Sequence, residues 1–119
     1  MSRFIRTLLT LALAACALVA QAQGPIRIIH GSNAGAPQDV MLRILAEELQ
    51  KALGEPVIVD PRPGAEGQIA MTALKQAPAD GRTIFSDGTG ITSILQIPGA
   101  QHKWTDFEPL YRLQLDPFA

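Results

Sequence analysis

"IRIIHGSNAGAPQDVMLRILAEELQKAL", Ile26 to Leu53, sets the architecture of this chain. Its first five residues, Ile26 to His30, form a short β-rich run. From Asp39 to Leu53, the residues Leu42, Leu45, Leu49 and Leu53 fall on one helical stripe, which Met41, Ile44 and Ala52 widen. Between these two core-forming segments the stretch Gly31 to Asp39 carries almost no bulk. A strand leading into a helix through a small-residue loop is the first half of a strand–helix–strand unit.

The same alternation continues downstream. Gly54 ends the helix and Pro56 follows the stop, while Glu47 lies four residues before Lys51 on the outer face. "PVIVD", Pro56 to Asp60, reads as a second strand. In "PRPGAEG" the pair Pro63-Gly64 suits a type II turn. A helix over Gln68 to Ala77 is expected from the spacing of Ile69, Ala70, Ala73, Leu74 and Ala77, and "PADG", Pro78 to Gly81, stops it before the strand "RTIFS", Arg82 to Ser86. Strand, helix, strand, helix, strand predicts an α/β fold, a parallel sheet with right-handed crossovers. A looser segment, Gly88 to Phe107, precedes "EPLYRLQL", Glu108 to Leu115, whose alternation reads as a fourth strand.

Upstream, the order Arg3 and Arg6, an apolar run Thr7 to Ala20, and Ala20-Gln21-Ala22 has the form of a secretory signal peptide, residues 1–22. The run is short for a membrane span. "LAAC", Leu13 to Cys16, also fits a lipoprotein cleavage site; export with cleavage near Ala22 ranks above lipid anchoring at Cys16 because the residues after Cys16 stay apolar. Beyond the leader, residues 23–119 contain no cysteine, and losing two arginines moves the formal charge from −1 to −3. Packing alone must hold one modest core. Mild acidity without a basic run or aromatic ladder argues against a nucleic-acid partner.

At the carboxyl end of a parallel strand, the first amides of the following helix point outward with partial positive charge. Small residues at Gly31, Ser32, Ala34, Gly35 and Ala36 let an acid group reach such amides, and Ser32 and Asn33 add side-chain donors. "SDGTG", Ser86 to Gly90, forms the equivalent loop after the third strand. If the first strand lies between the other two, these loops face one another at a topological switch point. Plain tight turns are the competing reading of both. Asp39 suits the positive end of the helix dipole, although in an amino-acid receptor it would meet an ammonium group. Arg62 reads as a solvated loop residue or a contact on the lobe surface, and Trp104 as packing. His30 and His102 make no metal spacing and are read as satisfied or exposed; no metal or cofactor is expected. G-x-S-x-G, G-x-x-x-x-G-K-[ST] and G-x-G-x-x-G are all missing, which leaves an exported α/β enzyme for anionic small molecules little support.

"RPGAEGQIA" (Arg62 to Ala70), "APADGRT" (Ala77 to Thr83) and "TDFEPL" (Thr105 to Leu110), in this order and spacing, resemble the Bug-type extracytoplasmic solute receptors of tripartite tricarboxylate transporters. The likeness runs from Pro25 to Phe118. It implies a type II periplasmic binding-protein fold, with residues 23–119 the amino-terminal portion of lobe 1. It further implies a small organic carboxylate as ligand, membrane permease subunits as partners, and a non-enzymatic, monomeric full-length receptor in the periplasm. In the family, the loops after the first and third strands hold the carboxylate; the matching positions are Ser32, Asn33, Gly35 and Asp39, and Ser86, Asp87, Gly88 and Thr89. The family has Pro-Gly-Gly where this chain has Ala34-Gly35-Ala36, and Ala36 is expected to narrow the dihedrals open to that loop. Pro61 stands where the family commonly has Asn. The second lobe and the return to the first are expected to be missing, so these residues alone should bind weakly or fold poorly, and an inactive truncated remnant is a third reading.

Overall fold

The β-branched run becomes β1 (Ile26–His30), the middle strand of a three-stranded parallel sheet between β2 (Val57–Pro61) and β3 (Thr83–Ser86). The structure, a computed structural model, describes residues 24–88, 90–96 and 98–113. In register, Ile28 sits between Val59 and Ile84, and His30 between Pro61 and Ser86. The Arg62 amide extends the ladder by donating to the His30 carbonyl at 2.8 Å. All three strands therefore end on one side, and every strand-to-helix loop leaves from that edge.

Helix α1 (Pro37–Leu53) starts two residues earlier than the periodicity predicts, because Pro37 supplies a preset helical φ at the first turn. Its Leu42 and Ala46 are buried with Ile28 and Val57, and Met41, Leu45, Leu49, Val59 and Ile84 pack around them. Full burial of Leu42 contributes about 1.5–3 kcal/mol. The stripe is narrower than expected: Ile44 and Leu53 are 61% and 53% exposed. Gly54 closes the helix at φ 69°, its amide donating to the Gln50 carbonyl. On the outer face Lys51 pairs with Glu48, not Glu47, at 2.7 Å; an exposed pair of this kind adds little stability.

The opposite pleat, Arg27 and Ile29 with Thr83, looks toward α2 (Gln68–Gln76), whose Ala73 and Gln76 line a cavity of about 400 Å³ with them. Ala70 and Met71 of α2 are fully buried. Helix α3 (Gly90–Ile94), which falls inside the segment expected to be loose, follows the third loop and buries Ile94.

Three expectations are corrected. Pro63-Gly64 does not make a type II turn: Gly64 has φ 125° and ψ 155°, and the tight turn comes two residues later, with the Gly67 amide donating to the Gly64 carbonyl across left-handed Ala65 (φ 45°) and Glu66 (φ 54°). Residues 108–113 of the expected fourth strand form no regular structure and pair with no strand, and Leu110 and Tyr111 are 74% and 86% exposed. Alternating polarity makes a strand only where a neighbour supplies its hydrogen bonds; Gln114 and Leu115 lie outside the described residues. Trp104, read as packing, is 53% exposed. The two histidines also part company. His102 is buried with its Nε2 at 3.0 Å from the Thr72 hydroxyl, which itself donates to the Gln68 carbonyl, while Nδ1 has no partner. Residues 1–23, with the signal-peptide reading and Cys16, lie outside the described part. Among the described residues no helix is long and apolar enough to cross a membrane.

Candidate functional site

The loop after β1 is built on a buried carboxylate. Asp39, in the first turn of α1, is 1% exposed and accepts from four donors: the Gly35 amide at 2.8 Å, Arg43 Nε at 2.9 Å and a terminal Arg43 nitrogen at 3.1 Å, and His30 Nε2 at 3.0 Å. The Ser32 amide donates to His30 Nδ1 at 3.3 Å, which leaves the imidazole proton on Nε2, facing Asp39. The Arg43 guanidinium, then the Gly35 amide, hold the Asp39 carboxyl well below the usual carboxylate range; burial pulls the other way and His30 adds a smaller downward push. Asp39 raises the Arg43 pKa in return. Both Asp39 oxygens are thus occupied inside the protein, and the side chain shapes the loop from beneath.

That shape is a turn. The Ala36 amide donates to the Asn33 carbonyl at 3.1 Å, and Gly35 takes φ 82°, the glycine position of a type II turn. Ala36 itself sits at φ −65° and ψ 158°, a conformation open to any residue, so it does not narrow the loop as expected. Asn33, Ala34 and Gly35 are exposed, and no side chain caps α1. The amino end of the helix therefore keeps its positive end toward solvent.

Gln38 joins this loop to the one after β3. Ser32 Oγ donates to Gln38 Oε1 at 2.5 Å, and Gln38 Nε2 donates to the Ser86 carbonyl at 3.2 Å. A third loop closes the group: a Cβ on Gly31 would come within 2.7 Å of the Gly67 Cα, and one on Gly67 within 3.3 Å of Asp87 Oδ2. Asp87 accepts its neighbour Gly88's amide at Oδ1, 2.8 Å. Burial pushes the Asp87 carboxyl up, with the Gly88 amide opposing.

Of the sequence-derived candidates, Ser32, Asn33, Gly35, Asp39, Ser86, Asp87 and Gly88 gather at this one sheet edge, and Thr89 lies outside the described residues. The Gly35 amide and the Ser32 amide are both engaged internally, so neither is open to a ligand. Sequence reasoning missed Gln38, Arg43 and Gly67; it named Gly31 only as a small loop residue, and His30, read as satisfied or exposed, is satisfied by Asp39 and the Ser32 amide. The Asp39–Arg43 pair has the i,i+4 spacing of a helical ion pair, and that signal was present; the Gln38 bridge and the Gly31–Gly67 contact depend on long-range geometry. Asp60, at the end of β2, pairs with Arg62 and Arg27, each at 3.0 Å, and Arg62 first, then Arg27, lower its pKa against burial. No group of three His, Cys, Asp or Glu side chains suited to a metal ion occurs among the described residues.

Comparison with known proteins agrees with this architecture. Residues 41–114 match the TctC family, described as the tripartite tricarboxylate transporter family receptor. A UPF0065 protein of Bordetella bronchiseptica is 50% identical over 64 residues, 54% of this chain and 19% of that protein. The UPF0065 protein in the gbd 5′ region of Cupriavidus necator is 40% identical over 81 residues, 63% of this chain and 25% of its own length. Protein BugT of Bordetella pertussis is 45% identical over 61 residues, 51% of this chain and 19% of that protein. The chain spans between 19% and 31% of the length of the curated relatives it matches. With three parallel strands and interleaved helices of the periplasmic binding-protein kind, it belongs to the TctC family of tripartite tricarboxylate transporter receptors.

Proposed function

We propose that this chain is part of a periplasmic receptor that captures a small organic carboxylate for the permease subunits of a tripartite tricarboxylate-type transporter. The observation that carries the reading is the Gln38 bridge, which holds the loops after β1 and β3 side by side next to the uncapped start of α1. An acid group there meets outward amides and the positive end of a 17-residue helix. Asn33, exposed in the first of these loops, offers a direct contact. Asp39 and Gly35 act by fixing the loop, and Ser32 and Ser86 by anchoring Gln38.

No bond is made or broken in this role. Binding draws its free energy from contacts present only with ligand, and closure around the ligand follows from that difference.

The test is thermal denaturation of the purified chain with succinate and citrate, alongside product analysis. A saturable rise in melting temperature without conversion of the acid is expected; at ten times Kd the stabilisation is about 1.4 kcal/mol. A flat response to both acids contradicts the receptor reading, and product formation favours the enzyme alternative.

A further inference from the structure

Asp-Gly occurs twice in the chain, at Asp80-Gly81 and Asp87-Gly88, and the fold treats the two pairs differently. Asp80 turns its Oδ1 past Gly81 to accept the Arg82 amide at 2.9 Å. Asp87 folds back on its own main chain: its Oδ1 accepts the amide of the very next residue, Gly88, at 2.8 Å. The Gly88 nitrogen therefore lies beside the carboxyl carbon of Asp87, close to the geometry of attack. Gly67 packs against the same carboxyl, since a Cβ there would lie 3.3 Å from Asp87 Oδ2. The nitrogen itself is unshielded. Gly88 has no side chain, a Cβ added to it would meet nothing within 4 Å, and residues 87 and 88 belong to no helix or strand. Burial raises the Asp87 pKa, with the Gly88 amide opposing, so a larger share carries the proton that lets the carboxyl hydroxyl leave as water.

We propose that Asp87-Gly88 is a site of spontaneous isoaspartate formation. The Gly88 nitrogen attacks the carboxyl carbon of Asp87; a C–N bond forms, and the amide proton leaves with the carboxyl hydroxyl as one water. Water then opens the five-membered succinimide ring. Addition at the side-chain carbonyl restores aspartate, whereas addition at the main-chain carbonyl routes the chain through the side-chain carbons, with no net change in mass. No enzyme, cofactor, oxidant or bound ligand takes part, so the step stands independently of the receptor reading. Its product adds one carbon to the main chain directly after Ser86, whose carbonyl anchors Gln38. An aged molecule thereby loses the fixed spacing of the loops after β1 and β3.

The purified chain is aged at pH 6 and 37 °C and digested briefly with trypsin, which separates Asp80 in peptide 76–82 from Asp87 in peptide 83–103. Isoaspartate in each peptide is quantified by methyl transfer from S-adenosylmethionine with isoaspartyl methyltransferase. In the folded chain it should accumulate about tenfold faster in peptide 83–103 than in peptide 76–82, and the chain unfolded in guanidinium chloride should lose that preference. Gly88→Ala, whose Cβ has room but shields the nitrogen, should slow the reaction at Asp87 about tenfold. Equal rates in the two folded peptides, faster reaction at Asp80, or a preference that persists unchanged on unfolding overturns the proposal. A Gly88→Ala rate equal to wild type does the same. The comparison of the two peptides needs no variant, so poor folding of Gly88→Ala does not shield the proposal.

Discussion

Gly31→Ala tests the packing that brings the loops together. The new Cβ would lie 2.7 Å from the Cα of Gly67 and 3.4 Å from its nitrogen. Carbon atoms rest at about 3.5–4.0 Å, so the two loops must separate by roughly 1 Å. Both atoms at the closest approach are fixed to backbone, and no rotamer relieves the overlap. The φ of Gly31 is not in the left-handed region, so crowding is the whole effect. Overpacking of this degree costs about 1–3 kcal/mol. In a domain of this size each kcal/mol lowers the melting temperature by about 4–8 °C. Circular dichroism melts of the wild type, Gly31→Ala and Gly88→Ala make the comparison, because a Cβ on Gly88 meets nothing within 4 Å. A drop of at least about 4 °C is expected for Gly31→Ala, with Gly88→Ala close to wild type. Equal melting of all three would refute the Gly31–Gly67 contact.

Leu42→Ala removes a fully buried side chain at the centre of the α1 core and should cost about 2–5 kcal/mol by urea unfolding, whereas Ile44→Ala, two residues on and largely exposed, should stay near zero. Glu66→Gly relieves a left-handed residue worth about 1–2 kcal/mol, less about 0.5–1 kcal/mol of added chain freedom, so the melting temperature should rise slightly; a fall would contradict the turn geometry. Asp39, Asp60 and Asp106 all have carboxyl pKa values lowered from the 3.8 expected of an unfolded chain, Asp106 chiefly through the Lys103 amide and then Lys75. The unfolded chain therefore binds protons first. Their stabilisation is complete above about pH 5 and is lost as pH falls below about 4 toward the lower folded values. Asp87, shifted upward, acts in the opposite sense, gaining stability as it protonates. Melting temperatures from pH 7 to pH 3 should fall in the acid range, and Asp39→Asn should flatten part of that fall.

The strands and the two long helices were legible because their signals are local. Ile26 to His30 and Leu42 to Leu49 carry the right period, and Gly54 and Pro78 mark the stops. The switch point was legible too, since alternation constrains where a parallel sheet's loops emerge. What escaped depended on contacts distant in sequence. Gln38 reads as an ordinary first-turn residue until β3 places the Ser86 carbonyl 3.2 Å away. Gly64 looked like turn punctuation, yet a Cβ on it would lie 2.6 Å from Ile69 Cδ1, and Gly67 in the same loop must admit Asp87. "EPLYRLQL" shows the converse: a sound strand pattern remains coil at residues 108–113 for want of an edge to join. Asp39 read as a first-turn residue suited to the helix dipole, and Asp87 as a position of the loop after the third strand. What separates them is hydrogen bonding: Arg43 and His30 both bond to Asp39, whereas Asp87 accepts from the Gly88 amide.

The central claim is that outward amides at the start of α1 and in the loop after β3 jointly cradle an acid group. Backbone amide NMR during a titration with citrate tests it most directly. Shifts concentrated at Asn33, Ala34, Gln38, Asp39 and Gly88 are predicted; shifts concentrated instead around Arg27, Ala77 and Arg82, which line the cavity beside α2, would contradict it.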